Sequence, residues 1–113
     1  MDRMVRINQQ LKEEISRILL RELSDPRLEM VTIMAVRTSR DLRSARVYYS
    51  VLGDSRQAQR AQEGLDRARG LIRRLISQSV NLRNTPEFTF FFDDSAEASV
   101  QMESTLNQLR EEE

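Results

Sequence analysis

Apolar residues at Met4, Ile7, Leu11, Ile15, Ile18 and Leu19 recur at the spacing that lines one stripe of an α-helix, predicting a first helix over 4–23. Arg3, Arg6, Gln10, Arg17 and Arg21 gather on a neighbouring strip of the same helix, with Glu13 and Glu14 beside it. Ser24, Asp25, Pro26 and Arg27 end the element, because proline disfavours helical geometry in the residue before it. The period then changes to two. Residues 30–36 are rich in β-branched side chains, and 45–51 place Ala45, Val47, Tyr49 and Val51 on one face. The polar stretch Ser39-Arg40-Asp41-Leu42-Arg43 is short enough to join the two as an antiparallel hairpin.

Gly53-Asp54-Ser55 offers a turn and a helix N-cap, after which Ala58, Ala61, Leu65, Ala68, Ile72, Leu75 and Ile76 return to helical spacing as far as about Val80. Arg56, Arg60, Arg67 and Arg74 form a ridge on its polar side, since seven residues make nearly two turns. Gly64 and Gly70 each cost about 1 kcal/mol relative to alanine inside a helix, and Leu71 would project into the arginine ridge if the helix were straight. A kink at Ala68-Arg69-Gly70 removes that conflict. The alternative is a straight helix whose glycines allow close packing against the sheet. After Asn84-Thr85-Pro86, residues 87–93 read as a third strand containing all four phenylalanines of the chain. Core is the expected role of these rings, and a base-stacking platform is the alternative. Residues 96–113 form an acidic extension with a loose helical pattern, leaving 1–95 as one domain.

Charge changes this picture more than composition does. The net charge is zero, yet residues 1–84 carry 17 of the 18 basic and 10 of the 18 acidic side chains, leaving an acidic end. Such a split favours a polyanionic partner for one face, although solvated helix faces also produce it. All cations but Lys12 are arginine, the side chain that grips phosphate bidentately and stacks on bases. Histidine and cysteine are absent, which removes most catalytic triads, zinc sites and thiol chemistry and argues against an enzyme or a cofactor. Asp93-Asp94 reads as a strand end or helix cap before it reads as a metal site. No run of about 20 apolar residues suits a bilayer, and nothing at the start resembles a secretory or organellar leader, so a cytoplasmic, monomeric protein is expected.

The order helix, strand, strand, helix, kink, helix, strand describes an α+β fold, a three-stranded sheet covered by helices in the manner of a KH domain. KH domains clamp nucleic acid with a GxxG loop. Here Ala68-Arg69-Gly70 stands in its place. That departure occurs among other shared features: Asp25-Pro26-Arg27-Leu28, Asp41-Leu42, Ala45-Arg46-Val47-Tyr48, Ile72-Arg73, Leu82-Arg83, and Pro86-Glu87-Phe88 with Phe90 and Asp93. Over residues 3–95 the chain resembles the ribosome-binding factor A family. The resemblance implies a type II KH fold, association with the 30S subunit and 16S rRNA, and a role in late pre-30S maturation that includes cold adaptation.

The expected RNA contacts are Arg67, Arg69, Arg73 and Arg74 with Ala68 and Gly70 at the kink, joined by Arg60 of the ridge and by Arg3, Arg6 and Arg83. A kink would also free amides at the start of a new helix to meet phosphate. The chief rival is an adaptor whose acidic C-terminal segment docks on a ribosomal protein or an assembly GTPase, with the arginines serving solubility. A more distant rival is a magnesium-dependent nuclease using Asp93 and Asp94.

Overall fold

The structure is a computed structural model that describes residues 2–93. Helix α1 (Arg3–Arg21) starts where the Asp2 carboxylate accepts a hydrogen bond from the Met4 amide at 3.0 Å. Its apolar stripe buries Ile7, Leu11, Ile15, Ile18 and Leu19, and full burial of each large aliphatic side chain contributes about 1.5–3 kcal/mol of transfer free energy. A short 3-10 turn at Pro26–Leu28 follows, capped by Asp25 and anchored by the buried Leu28.

Strands β1 (Val31–Thr38) and β2 (Ser44–Val51) pair antiparallel, as the period-two pattern predicts, with a bulge between Ile33 and Ala35. β3 (Glu87–Phe92) adds to the other side of β2 in parallel, giving the order β1-β2-β3. Ala45, Val47, Tyr49 and Val51 all face the core, as their alternation requires. The phenylalanines divide by more than parity, since Phe92 shares the parity of Phe88 and Phe90 but stands at the exposed end of the strand. Phe88 and Phe90 are buried, whereas Phe91 and Phe92 are about 40% exposed, so the expectation of core holds for two of the four rings.

Helix α2 (Ser55–Ser79) bridges β2 and β3 and packs with α1 on the core side of the sheet. Asp54 and Gln57 form a reciprocal capping box, with the Gln57 amide donating to Asp54 at 3.0 Å and the Asp54 amide to the Gln57 side chain at 2.9 Å. Gly53 precedes it at φ +142°, where a Cβ would strike Gln57 Oε1. The Tyr49 hydroxyl donates to Gln62 Oε1, and Gln62 Nε2 donates to the Phe90 carbonyl at 3.1 Å and to Asp66 at 3.0 Å. These bonds fasten α2 to two strands at once. Burial, with the Asp66 carboxylate adding to it, pushes the Tyr49 phenol up to about 12.

The expected division at Ala68-Arg69-Gly70 does not occur: α2 runs as one helix through all three residues. The conflict that motivated a kink is left at the surface, with Leu71 36% exposed. Gly64 does serve close packing, but its neighbours belong to the Pro26–Leu28 turn and not to the sheet. The amides around Gly70 therefore lie inside a continuous helix, and no second helix N-terminus is present there to bind an anion. The acidic extension at 96–113 and Asp94 lie outside the described residues.

Candidate nucleic-acid interface

The hairpin turn positions its arginines through its own hydrogen bonds. The Ser39 amide donates to Ser44 O at 2.8 Å, the Leu42 amide to Ser39 O at 2.9 Å, and Asp41 Oδ1 accepts from Ser39 Oγ at 2.7 Å and from the Arg43 amide at 3.0 Å. The Ser39 hydroxyl, then the Arg43 amide, hold the Asp41 carboxyl below its ordinary value. Leu42 takes a left-handed φ of 62°, costly for a branched side chain, and is buried in the core in compensation. This tuck brings Arg40 beside the start of α1 and the segment after α2. Arg3, Arg40 and Arg83 thus line one crevice of about 90 Å³ with Asp41 and with Met4, Ile7 and Leu42.

Three distant segments of sequence supply those three guanidinium groups. Arg6 lies one turn along α1 from Arg3 and is exposed. Farther along the expected basic strip, Arg17 is engaged by Glu14 and by Glu22 at 3.3 Å, so that part of the strip is neutralised within the helix.

A second group lies between α2 and the edge strand β3. Arg69, Gly70 and Arg73 line a cleft of about 190 Å³ against Glu87, Phe88 and Thr89. Arg73 also has an internal role: its Nε and Nη2 donate to the Thr85 carbonyl at 3.2 and 3.0 Å, and Nη1 is 3.7 Å from Glu87. That tie holds the approach to β3 against α2. Arg67 and Arg74 are exposed on the outer face of α2, and Ala68 packs half-buried on the core. A helical rise of 1.5 Å per residue spreads the ridge from Arg60 to Arg74 over about 21 Å.

Arg60 stands apart from both groups, in a cleft of about 170 Å³ with Arg27, Gln57 and Met30. Arg27 is forked onto Asp25, with Nε 3.0 Å from Oδ1 and Nη2 2.7 Å from Oδ2. The Arg27 guanidinium, followed by its amide, holds the Asp25 carboxyl below its ordinary value.

Sequence reasoning missed Arg40, whose place beside Arg3 and Arg83 depends on the Leu42 tuck. It also missed Arg46, which alternates with the buried Ala45 and Val47 and so faces outward, a parity already legible in the sequence. Among the described residues no group of three acidic, histidine or cysteine side chains could hold a metal ion, and no helix is long and apolar enough to cross a membrane. The arrangement offers planar, permanently charged forks around a small rigid body, suited to phosphate oxygens on a folded polyanion.

A three-stranded sheet with two helices on one face and arginines clustered around it defines a small KH-like α+β protein. Comparison with known proteins narrows the class. The family model described as ribosome-binding factor A matches residues 3–106. A ribosome-binding factor A from Halothermothrix orenii is 43% identical over 108 residues, covering 96% of this chain and 88% of the relative. The crystal structure of ribosome-binding factor A from Thermus thermophilus aligns with a TM-score of 0.71 at 27% identity, over 79% of this chain and 93% of that one. A homology model of the Thermus factor, fitted into a cryo-EM map of its complex with 30S, aligns with a TM-score of 0.64 at 27% identity, over 78% and 92%. The chain belongs to the ribosome-binding factor A family.

Proposed function

We propose that this protein binds 16S rRNA in free or precursor 30S subunits and assists late pre-30S maturation and rRNA processing, including at low temperature. It does so in the cytoplasm, as a monomer and without catalysis. Residues 1–95 act as the RNA-contacting domain, and 96–113 as an acidic extension. The observation that carries this reading is the convergence of Arg3, Arg40 and Arg83 from three separate segments on one crevice. The Asp41 carboxylate shares the crevice but offsets only one of the three charges, and rRNA supplies phosphates at fixed spacing for the excess. Arg69 and Arg73 extend the contact along α2, with Gly70 admitting close approach of a sugar-phosphate backbone. The relative fitted into a 30S map supports the small subunit as the target.

Sucrose-gradient co-sedimentation with 30S, 50S and 70S particles across a salt series tests this. Selective 30S association, with a log–log salt slope near about −3.5 to −4.5 for some five phosphates, is the expected result. Substituting Arg3, Arg40 and Arg83 together by glutamine should flatten that slope. Equal association with all particles would reduce the protein to a general polyanion binder.

A protein-docking reading is favoured by one feature. A groove of about 510 Å³ between the end of α1, the Pro26–Leu28 turn and β1 is lined by Leu19, Leu20, Leu23 and Ile33, with Asp25 and Glu29 beside them. Leu20 is 78% exposed. The groove would suit the apolar face of a helix from a ribosomal protein or an assembly GTPase, and association through it would respond less to salt than phosphate contact does.

A further inference from the structure

The two edges of the sheet are finished differently. On β3 the Phe90 carbonyl accepts from Gln62 Nε2 at 3.1 Å, and at the hairpin end of β1 the Thr38 amide donates to Asn8 Oδ1 at 3.0 Å. The first residues of β1 have no such cover. The Leu52 amide donates to Met30 O at 3.1 Å, and in an antiparallel ladder residues that exchange bonds alternate with residues that turn away from the partner strand. Val31 and Ile33 therefore direct both N–H and C=O away from β2, and among the described residues neither finds a hydrogen-bond partner on that side. The bulge that follows Ile33 ends this open template. Val31 and Ile33 line the groove of about 510 Å³ together with Leu19, Leu20 and Leu23, so the free backbone edge and the apolar side chains share one space.

We propose that this edge captures an extended, basic segment of another protein, which adds to β1 as a further strand, turns apolar side chains onto Leu20 and Leu23, and presents a lysine or arginine to Glu29. The proposal rests on the protein-docking reading of the groove and commits it to a strand. A helix keeps its N–H and C=O groups paired internally and would cover the edge of Val31 and Ile33 without bonding it. Charge decides the occupant. The groove is lined by Asp25 and Glu29 and by no cation. Asp25 is held by Arg27, whereas Glu29 is exposed and has no ion pair among the described residues. Phosphate is repelled there, so RNA does not fit. The chain's own residues 94–113, with six carboxylates and one arginine, are repelled as well. A second copy of the chain offers an edge flanked by the same two acids and supplies Glu29 with no counterion. A cationic strand satisfies both the backbone and the carboxylate.

The test uses the full chain and a labelled, end-blocked nonapeptide of alternating lysine and valine with lysine at both ends, followed by anisotropy. It should bind, and the same peptide with glutamate in place of lysine should bind about tenfold more weakly or worse. N-methylation of every second peptide nitrogen blocks one edge of an added strand. It should abolish binding in one parity, at the valines for an antiparallel strand or at the lysines for a parallel one, and leave binding intact in the other. Hydrogen exchange at the Val31 and Ile33 amides, fast in the free protein, should slow on saturation with the peptide. Glu29→Lys should weaken binding about tenfold or more. Leu20→Ser, at a side chain 78% exposed and clear of the core, should weaken it at an unchanged melting temperature. Equal loss of binding with either methylation parity, or affinity unchanged in Glu29→Lys, overturns the proposal. A basic amphipathic helical peptide that binds in a Leu20-dependent way where the alternating peptide does not would overturn the strand and keep the docking reading. Binding of neither peptide removes both, and retained 30S co-sedimentation in that case leaves the rRNA reading standing. Protection of Val31 and Ile33 in a dimer without peptide would assign the edge to a second copy and overturn the proposal.

Discussion

Gly64 and Gly70 occupy the same helix six residues apart, and the protein uses them in opposite ways. Gly64 is buried, with space for a Cβ limited by Leu28 Cδ2 at 3.1 Å, Asp25 Oδ2 at 3.3 Å and Arg27 Nε at 3.4 Å. Gly70 is exposed, and a Cβ there would meet nothing within 4 Å. The face of α2 that carries Gly64 is therefore pressed onto the Asp25–Arg27 turn, and the face that carries Gly70 is open to solvent. Identical helix-propensity costs thus arise from different causes: one is offset by tertiary contact in the free protein, and the other has no such return inside the fold.

The sharpest way to break this contrast is to fill both positions. Gly64→Val should destabilise by about 3 kcal/mol, read from urea or thermal unfolding, because its branches would collide with Leu28 and the Asp25–Arg27 fork. A smaller effect is expected at the turn itself. Asp25→Asn keeps a capping oxygen but removes the charge from the fork and should cost under about 1 kcal/mol at pH 7. Since the folded-state value of Asp25 lies below its unfolded value near 3.8, its contribution is complete above that pH and is lost as acid titrates the folded carboxylate. The stability gap between parent and Asp25→Asn should accordingly narrow as pH falls from 4 toward 2. Gly70→Ala should raise stability by somewhat under about 1 kcal/mol while weakening 30S association, the signature of a residue kept small for a partner. A Gly70→Ala protein that is both more stable and equally well associated would assign that glycine no binding role.

Much of the fold was legible because its elements obey one period each. The stripe from Ile7 to Leu19 and the alternation from Ala45 to Val51 match the buried residues one for one. The reading failed at α2, where two glycines and Leu71 argued for a break that the helix does not make. Propensity there is overridden by Ala61, Leu65, Ile72 and Ile76, which are fully buried on both sides of the supposed kink and hold one axis. In β3 a period of two is present but hidden in a run dense with aromatics, so hydrophobicity alone assigns Phe91 to a core it does not enter. The candidate interface was less legible than the fold. Arg69, Gly70 and Arg73 meet because they are neighbours in sequence, whereas the meeting of Arg3, Arg40 and Arg83 requires the whole domain to close.

The parallel pairing of β3 with β2 also orders events in time. Ser44 is matched with Glu87, and the whole of α2 lies between the two strands. As the chain emerges during synthesis, α1 and the hairpin can assemble early, but the last strand must wait for a complete helix to cross over. Until Phe88 and Phe90 arrive, β2 carries an unsatisfied edge and the floor of the core is open. The closing step spans the largest sequence separation in the sheet, which makes it the natural rate-limiting event in folding.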